Sequence, residues 1–173
     1  MTFYRNRPLF AVSVAMTVLM VAVAVYFLFI DAGVARDPWD VVLALALPGL
    51  VAWVVLRVGL IPSVEWGEGR LTVHNPFLTC TAPLSDVRLL GRADKGGAFE
   101  IRGIGPVTPF AMSRSVFDGR RANTARRALR DAVRQTPPPT EEPPATARRT
   151  PRIGWYDLLL LPFALSSVWA FLP

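Results

Sequence analysis

The sequence predicts a membrane protein of the α+β class, with three transmembrane helices and a strand-rich cytoplasmic domain. That domain is expected to hold about six or seven antiparallel strands and one C-terminal helix. Three observations support this reading. The chain has 173 residues and is 52% hydrophobic, and most of that excess falls in three blocks near the ends. Basic residues flank one side of those blocks. Between the second and third blocks the apolar pattern changes to period two and then to helical spacing. This distribution excludes a simple soluble globule, a disordered chain and a collagen-like repeat.

The first block, Leu9 to Ile30, holds 22 residues without a charge. At ~1.5 Å per residue a helix of that length is roughly 33 Å long, enough for a hydrocarbon core of ~30 Å. Arg5 and Arg7 precede it and Asp31 ends it. A cleaved signal peptide is the alternative, and Gly33-Val34-Ala35 has the small-x-small form of a cleavage site. The block is longer than the roughly 7–15 residues of a signal h-region, which favours a retained helix.

The second block runs from Val41 to Ile61, with Pro38 as a first-turn proline and Trp39 as an interfacial aromatic. Pro48-Gly49 is expected to kink it, with neighbouring helices satisfying the freed carbonyl. Arg57 is its only charge and, close to the end, is expected to snorkel to the headgroups.

The third block is Ile153 to Pro173. Trp155 and Tyr156 lie near one end and Trp169 near the other, as an aromatic belt at each interface requires. Asp157 sits close to the first interface, and 16 uncharged residues follow it. A spanning helix is expected, with a re-entrant or surface-lying helix as the alternative.

Arginines set the orientation. Arg5 and Arg7 flank the first helix, and Arg148, Arg149 and Arg152 lead into the third. The loop Asp31–Asp40 carries only Arg36 against three aspartates. The N-terminus is therefore expected in the cytoplasm and the C-terminus outside, in a multi-pass protein of the cell membrane. Residues 1–62 form a two-helix hairpin, 63–135 a cytoplasmic domain, 136–152 a Pro-rich linker and 153–173 the last helix. The linker's prolines favour an extended polyproline path of roughly 50 Å.

Net charge is +6, and Lys95 is the only lysine. Cys80 is the only cysteine, which excludes an intramolecular disulfide and a CxxC metal site. One His and one Cys do not make a zinc site, so no metal or other cofactor is expected.

Within residues 63–135, Val64–Trp66, Arg70–His74, Phe77–Ala82, Asp86–Leu90, Ala98–Arg102 and Pro106–Met112 alternate as strands do. Gly67-Glu68-Gly69, Asn75-Pro76 and Asp94-Lys95-Gly96-Gly97 supply the turns. Such short connections predict an antiparallel meander. From Asp118 to Gln135, Ala122, Ala125, Leu129, Ala132 and Val133 recur at helical spacing, with Ser115 or Asp118 as candidate caps.

The run Glu68-Gly69-Arg70-Leu71-Thr72-Val73-His74-Asn75-Pro76 resembles the "acidic, G, L-x-V-x-N-P" opening of actinobacterial membrane proteins with a bacterial PH-like domain, grouped with low-molecular-weight protein antigen 6. Pro83-Leu84-Ser85-Asp86-Val87 resembles the next strand start of that family, with Leu84 where an aromatic is usual. The family layout of two membrane helices followed by a PH-like domain fits residues 9–135. The resemblance implies a PH-like fold and membrane tethering, and no catalytic activity.

The best functional candidate is the arginine face of the predicted helix. Residues 120–134 carry six arginines against one acid, Asp131. Arg126, Arg127, Arg130 and Arg134 are the candidate lipid- or partner-binding residues. A solvated face, attraction to anionic headgroups at the inner leaflet and a protein partner all suit them. Nucleic acid does not, because no aromatics interleave the arginines. His74 is expected to be a solvated strand histidine and Cys80 a buried small hydrophobe. Ser113 and Ser115 lack a histidine partner at any readable spacing, and no small-molecule substrate site is evident. The expectation is a non-catalytic, membrane-anchored adaptor that binds a protein partner, or else an accessory subunit of a larger membrane complex.

Overall fold

The computed structural model describes residues 1–29, 37–89, 98–112, 119–137 and 147–170. In chain order the elements are β1 (Thr2–Tyr4), α1 (Arg7–Phe29), α2 (Pro38–Val55), β2 (Ser63–Gly67), β3 (Arg70–His74), β4 (Leu78–Pro83), β5 (Val87–Leu89), β6 (Phe99–Ile101), β7 (Gly105–Val107), α3 (Gly119–Gln135), β8 (Arg148–Pro151) and α4 (Leu161–Ala170). They divide into two units, one made of Met1–Phe10 and Ile61–Arg152, the other of Ala11–Leu60 and Ile153–Pro173.

The first unit holds two antiparallel sheets, ordered β1-β2-β3-β4-β8 and β5-β6-β7. The period-two pattern explains the register. Val64, Leu71, Val73, Cys80 and Ala82 face inward and are at most 3% exposed. Trp66 pairs with Leu71, and Val73 pairs with Cys80. The β2–β3 turn is set by three successive positive φ values: Gly67 at 150°, Glu68 at 51° and Gly69 at 72°. Two glycines at such positions avoid the strain that a Cβ meets there. Phe99, Ile101, Val107 and Met112 complete the core with Ala122, Ala125 and Leu129 of α3.

Several expected boundaries shift. Residues Leu84–Asp86, placed partly in a strand by the alternation, form a 3-10 turn after Pro83, and β5 begins at Val87. The strand expected over Pro106–Met112 ends at Val107, because Pro109 has no N–H to give a ladder. A 3-10 turn over Phe110–Met112 follows. Asn75 ties it down: its Nδ2 donates to the Thr108 carbonyl at 3.1 Å, and its Oδ1 accepts from Phe110 N–H at 2.8 Å. The Asp94–Gly97 turn and the Ser115 and Asp118 caps lie outside the described residues.

Two strands come from segments read otherwise. Thr2–Tyr4, expected within the N-terminal two-helix hairpin, adds to the sheet beside β2, with Tyr4 opposite Val64. Arg148–Pro151, expected as the end of an extended linker, pairs with β4, and Arg152 N–H continues the pairing to the Phe77 carbonyl at 2.9 Å. Those residues are therefore held in the sheet and do not act as tether.

Among the described residues two helices are long and apolar enough to cross a membrane, over Arg7–Phe29 and Trp39–Leu60, and the second unit holds most of α1 and all of α2. Asp37 caps α2 by accepting from Trp39 N–H at 3.2 Å, and Asp40 returns the contact to Asp37 N–H at 3.3 Å. The helix ends in a π-helical turn, Leu56–Leu60. The C-terminal segment is shorter, a 3-10 stretch Trp155–Leu160 followed by α4. It runs antiparallel to α2: Trp39 stacks on Trp169 at 5.2 Å, and a Cβ on Gly49 would meet the Leu159 carbonyl oxygen at 2.6 Å. Only glycine permits that approach.

Candidate functional site

The arginine face is built on α3. Ala122, Ala125 and Leu129 turn into the core at 3%, 9% and 3% exposure. Arg126 lies one turn beyond Ala122 and three residues before Leu129, so it shares their face. It is buried, its Nη1 donates to Asn123 Oδ1 at 2.9 Å, and its Nη2 donates to the carbonyl of Met112. It clamps the Phe110–Met112 turn to the helix. Of the four arginines singled out in the sequence, Arg126 therefore faces inward and is not available to a headgroup. Arg127 and Arg134 are exposed and Arg130 is half-buried. Arg120 and Arg121 are exposed on the first turn.

Beside the last turn of α3 lies a groove of about 530 Å³. Its apolar wall is Leu84, Val87, Val133 and Pro137, and its charged rim is Asp86, Arg88, Glu100 and Arg102. Val87 and Arg88 belong to β5, the edge strand of its sheet, and Arg88 sits opposite Glu100. The groove thus combines a strand edge with an apolar floor and charges of both signs. Sequence reasoning did not find it, because its walls come from segments about 45 residues apart, and only the α3 period hints that Val133 faces a neighbouring element.

Among the described residues no three His, Cys, Asp or Glu side chains gather closely enough to hold a metal ion. Cys80 is 3% exposed, and burial pushes its thiol pKa up, opposed by Arg149 across the strand pair. It is a buried hydrophobe, as read from the strand pattern. His74 is half-buried rather than solvated; its Nδ1 hydrogen-bonds Thr79 Oγ1 at 3.1 Å, and its Nε2 is 3.8 Å from Glu65 Oε1. Burial and the nearby Arg152 hold its pKa below 6.5 against the pull of Glu65. Ser113 and Ser115 lie outside the described residues.

The second unit holds one polar cluster in an otherwise apolar setting. Arg57 is held by a partner within the protein. Its side chain is 6% exposed, and its Nη2 pairs with Asp157 Oδ1. The same oxygen accepts from Trp53 Nε1 at 2.8 Å, and Asp157 Oδ2 accepts from Gly154 N–H at 2.9 Å. The guanidinium lies over the Trp53 and Tyr156 rings, 5.4 and 4.8 Å from their centroids. The sole charge of the second apolar block and the sole charge of the third therefore neutralise each other.

Comparison with protein-family models, with curated proteins and with solved structures finds no match to this chain.

Proposed function

We propose that the protein is a membrane-anchored adaptor, in which a PH-like domain on the cytoplasmic face holds an extended segment of a protein partner. The observation that carries this reading is the groove between the edge strand β5 and the end of α3. An edge strand offers unpaired ladder groups to an incoming strand, and the apolar floor with its charged rim gives side-chain selectivity. The resemblance of Glu68–Pro76 and Pro83–Val87 to actinobacterial PH-like membrane proteins supports the domain class. Arg127, Arg130 and Arg134 would add attraction to anionic lipid at the same face.

Membrane anchoring is by α1, α2 and a third span at the C-terminus, with the N-terminus inside and the C-terminus outside. The antiparallel register supports the third span. Asp157 pairs with Arg57 at one end and Trp169 with Trp39 at the other, so the segment lies along the second apolar helix between those two contacts. The arginine asymmetry supports the orientation.

The test is affinity purification of the full chain from native membranes in mild detergent. Wild type should carry a partner in stoichiometric amount, and Arg88→Glu with Arg102→Glu, both exposed on the groove rim, should lose it. The second reading, an accessory subunit of a larger complex, draws on α1, of whose apolar window only 6% is buried. A partner that survives the groove substitutions and leaves only when α1 is replaced by an unrelated apolar helix would favour that reading.

A further inference from the structure

A second cleft, of about 590 Å³, is lined by Phe3, Tyr4, Arg5, Arg7, Phe10 and Arg121. Three segments bring these residues together: the N-terminal strand β1, the first turn of α1 and the first turn of α3. Arg5 is the centre of it. Its guanidinium carbon lies 5.2 Å from the Phe3 ring centroid and 5.1 Å from that of Phe10. Its Nε–H is buried and meets no acceptor among the described residues. Among those residues, no carboxylate lies within ion-pair distance of Arg5, Arg7 or Arg121. The acid nearest in register is Glu65, opposite Phe3, and it faces His74.

Three guanidinium groups with no carboxylate partner among the described residues, around a cleft with an orphaned buried donor, call for a small multivalent oxyanion. A phosphate meets that requirement, because its oxygens accept paired N–H donors from arginine in fork geometry. Chain continuity supplies the location. Arg7 is two residues before Leu9, where the uncharged run of α1 begins. Aromatic rings beside arginines at such a point suit the headgroup layer.

We propose that this cleft binds the phosphate of an anionic phospholipid at the cytoplasmic membrane surface. The site is distinct from the groove beside β5 and from the exposed arginines Arg127, Arg130 and Arg134. It rests on the reading that α1 crosses the membrane with its N-terminal end inside. Lipid seated there would tie β1, and with it the edge of the five-stranded sheet, to the membrane surface.

The test uses the full chain in mild detergent, titrated with phosphatidylglycerol, with phosphatidylcholine and with inorganic phosphate, and read by native mass spectrometry. Wild type should retain one phosphatidylglycerol at least roughly tenfold more tightly than phosphatidylcholine. The triple variant Arg5→Gln, Arg7→Gln, Arg121→Gln should lose that preference. Arg70→Gln, which removes an exposed arginine away from the cleft, should keep it. Should the triple variant fold poorly, Arg121→Gln alone, at an exposed helix position, should still weaken retention. Equal retention of the two lipids by wild type, or equal preference in wild type and variants, would overturn the proposal. Binding of inorganic phosphate without lipid retention would overturn the lipid as its source. Alkaline carbonate extraction of native membranes separates this from the membrane reading itself: a chain released by carbonate fails as a spanning protein, whatever its lipid binding.

Discussion

Arg126→Met isolates the clamp between α3 and the Phe110–Met112 turn. The substitution keeps the aliphatic stem and most of the volume, and it removes the donations to Met112 and Asn123. A hydrogen bond from a charged donor contributes about 1.5–3 kcal/mol net. The bond to Met112 matters most, because that residue is 1% exposed and its carbonyl would lose the guanidinium. In the other direction, a guanidinium at 9% exposure with an unpaired Nε leaves the interior, which relieves its desolvation. The balance is a loss of about 2 kcal/mol. Cys80 is the only cysteine of the chain and is 3% exposed, so the rate of its alkylation in the full protein reports opening of this unit. A loss of about 2 kcal/mol corresponds to roughly 30-fold faster labelling when reclosing outruns the chemistry. Arg127→Gln and Arg134→Gln, at exposed positions, should stay within roughly twofold of wild type. Labelling of the Arg126→Met protein at the wild-type rate would refute the clamp and return Arg126 to the solvent-facing group.

Leu129→Asp buries a carboxylate among core residues and should destabilise the same unit by about 3 kcal/mol or more, read as still faster Cys80 labelling. Asp157→Asn should lower the thermal stability of the detergent-solubilised chain by about 3 kcal/mol, since it leaves Arg57 without its counter-charge. The double variant Arg57→Met, Asp157→Asn should recover part of that loss, and additive losses would refute the pairing. His74 adds a pH dependence of definite sign. Its folded pKa lies below 6.5, so the unfolded chain takes up the proton first as pH falls. Stability should therefore decline as pH drops through 6.5 toward the lowered value and be independent of this group well above it, a slope that His74→Gln should flatten.

Much of the first unit is legible in the chain, because the sheet side of its core follows from period two and the helix side from the spacing of Ala122, Ala125 and Leu129. Val64, Leu71, Val73, Cys80 and Ala82 alternate with polar residues, and the sheet buries that set. The strands at its margins are not legible. Thr2–Tyr4 is three residues long and precedes Arg5 and Arg7, so it reads as the flank of a helix. Arg148–Pro151 is exposed throughout and becomes a strand by pairing with β4, not by any preference of its own. Four of the six arginines of α3 group by their own spacing, whereas the apolar stripe of Ala122, Ala125 and Leu129 decides which of them turns inward. Arg57 and Asp157 stand out singly in the sequence, but they are 100 residues apart, and only the antiparallel packing of their segments joins them. The groove beside β5 depends on how a strand edge meets a helix end, which no local pattern encodes.

Site-specific photo-cross-linking in intact cells tests the central claim most directly. A photoreactive amino acid in place of Arg88, exposed on β5 at the groove, should capture one protein partner in the membrane fraction. The same residue in place of Arg70, exposed on β3 and outside the groove, should not. Equal capture at both positions, or a partner cross-linked only from Arg70, would contradict an adaptor that works through the β5 edge.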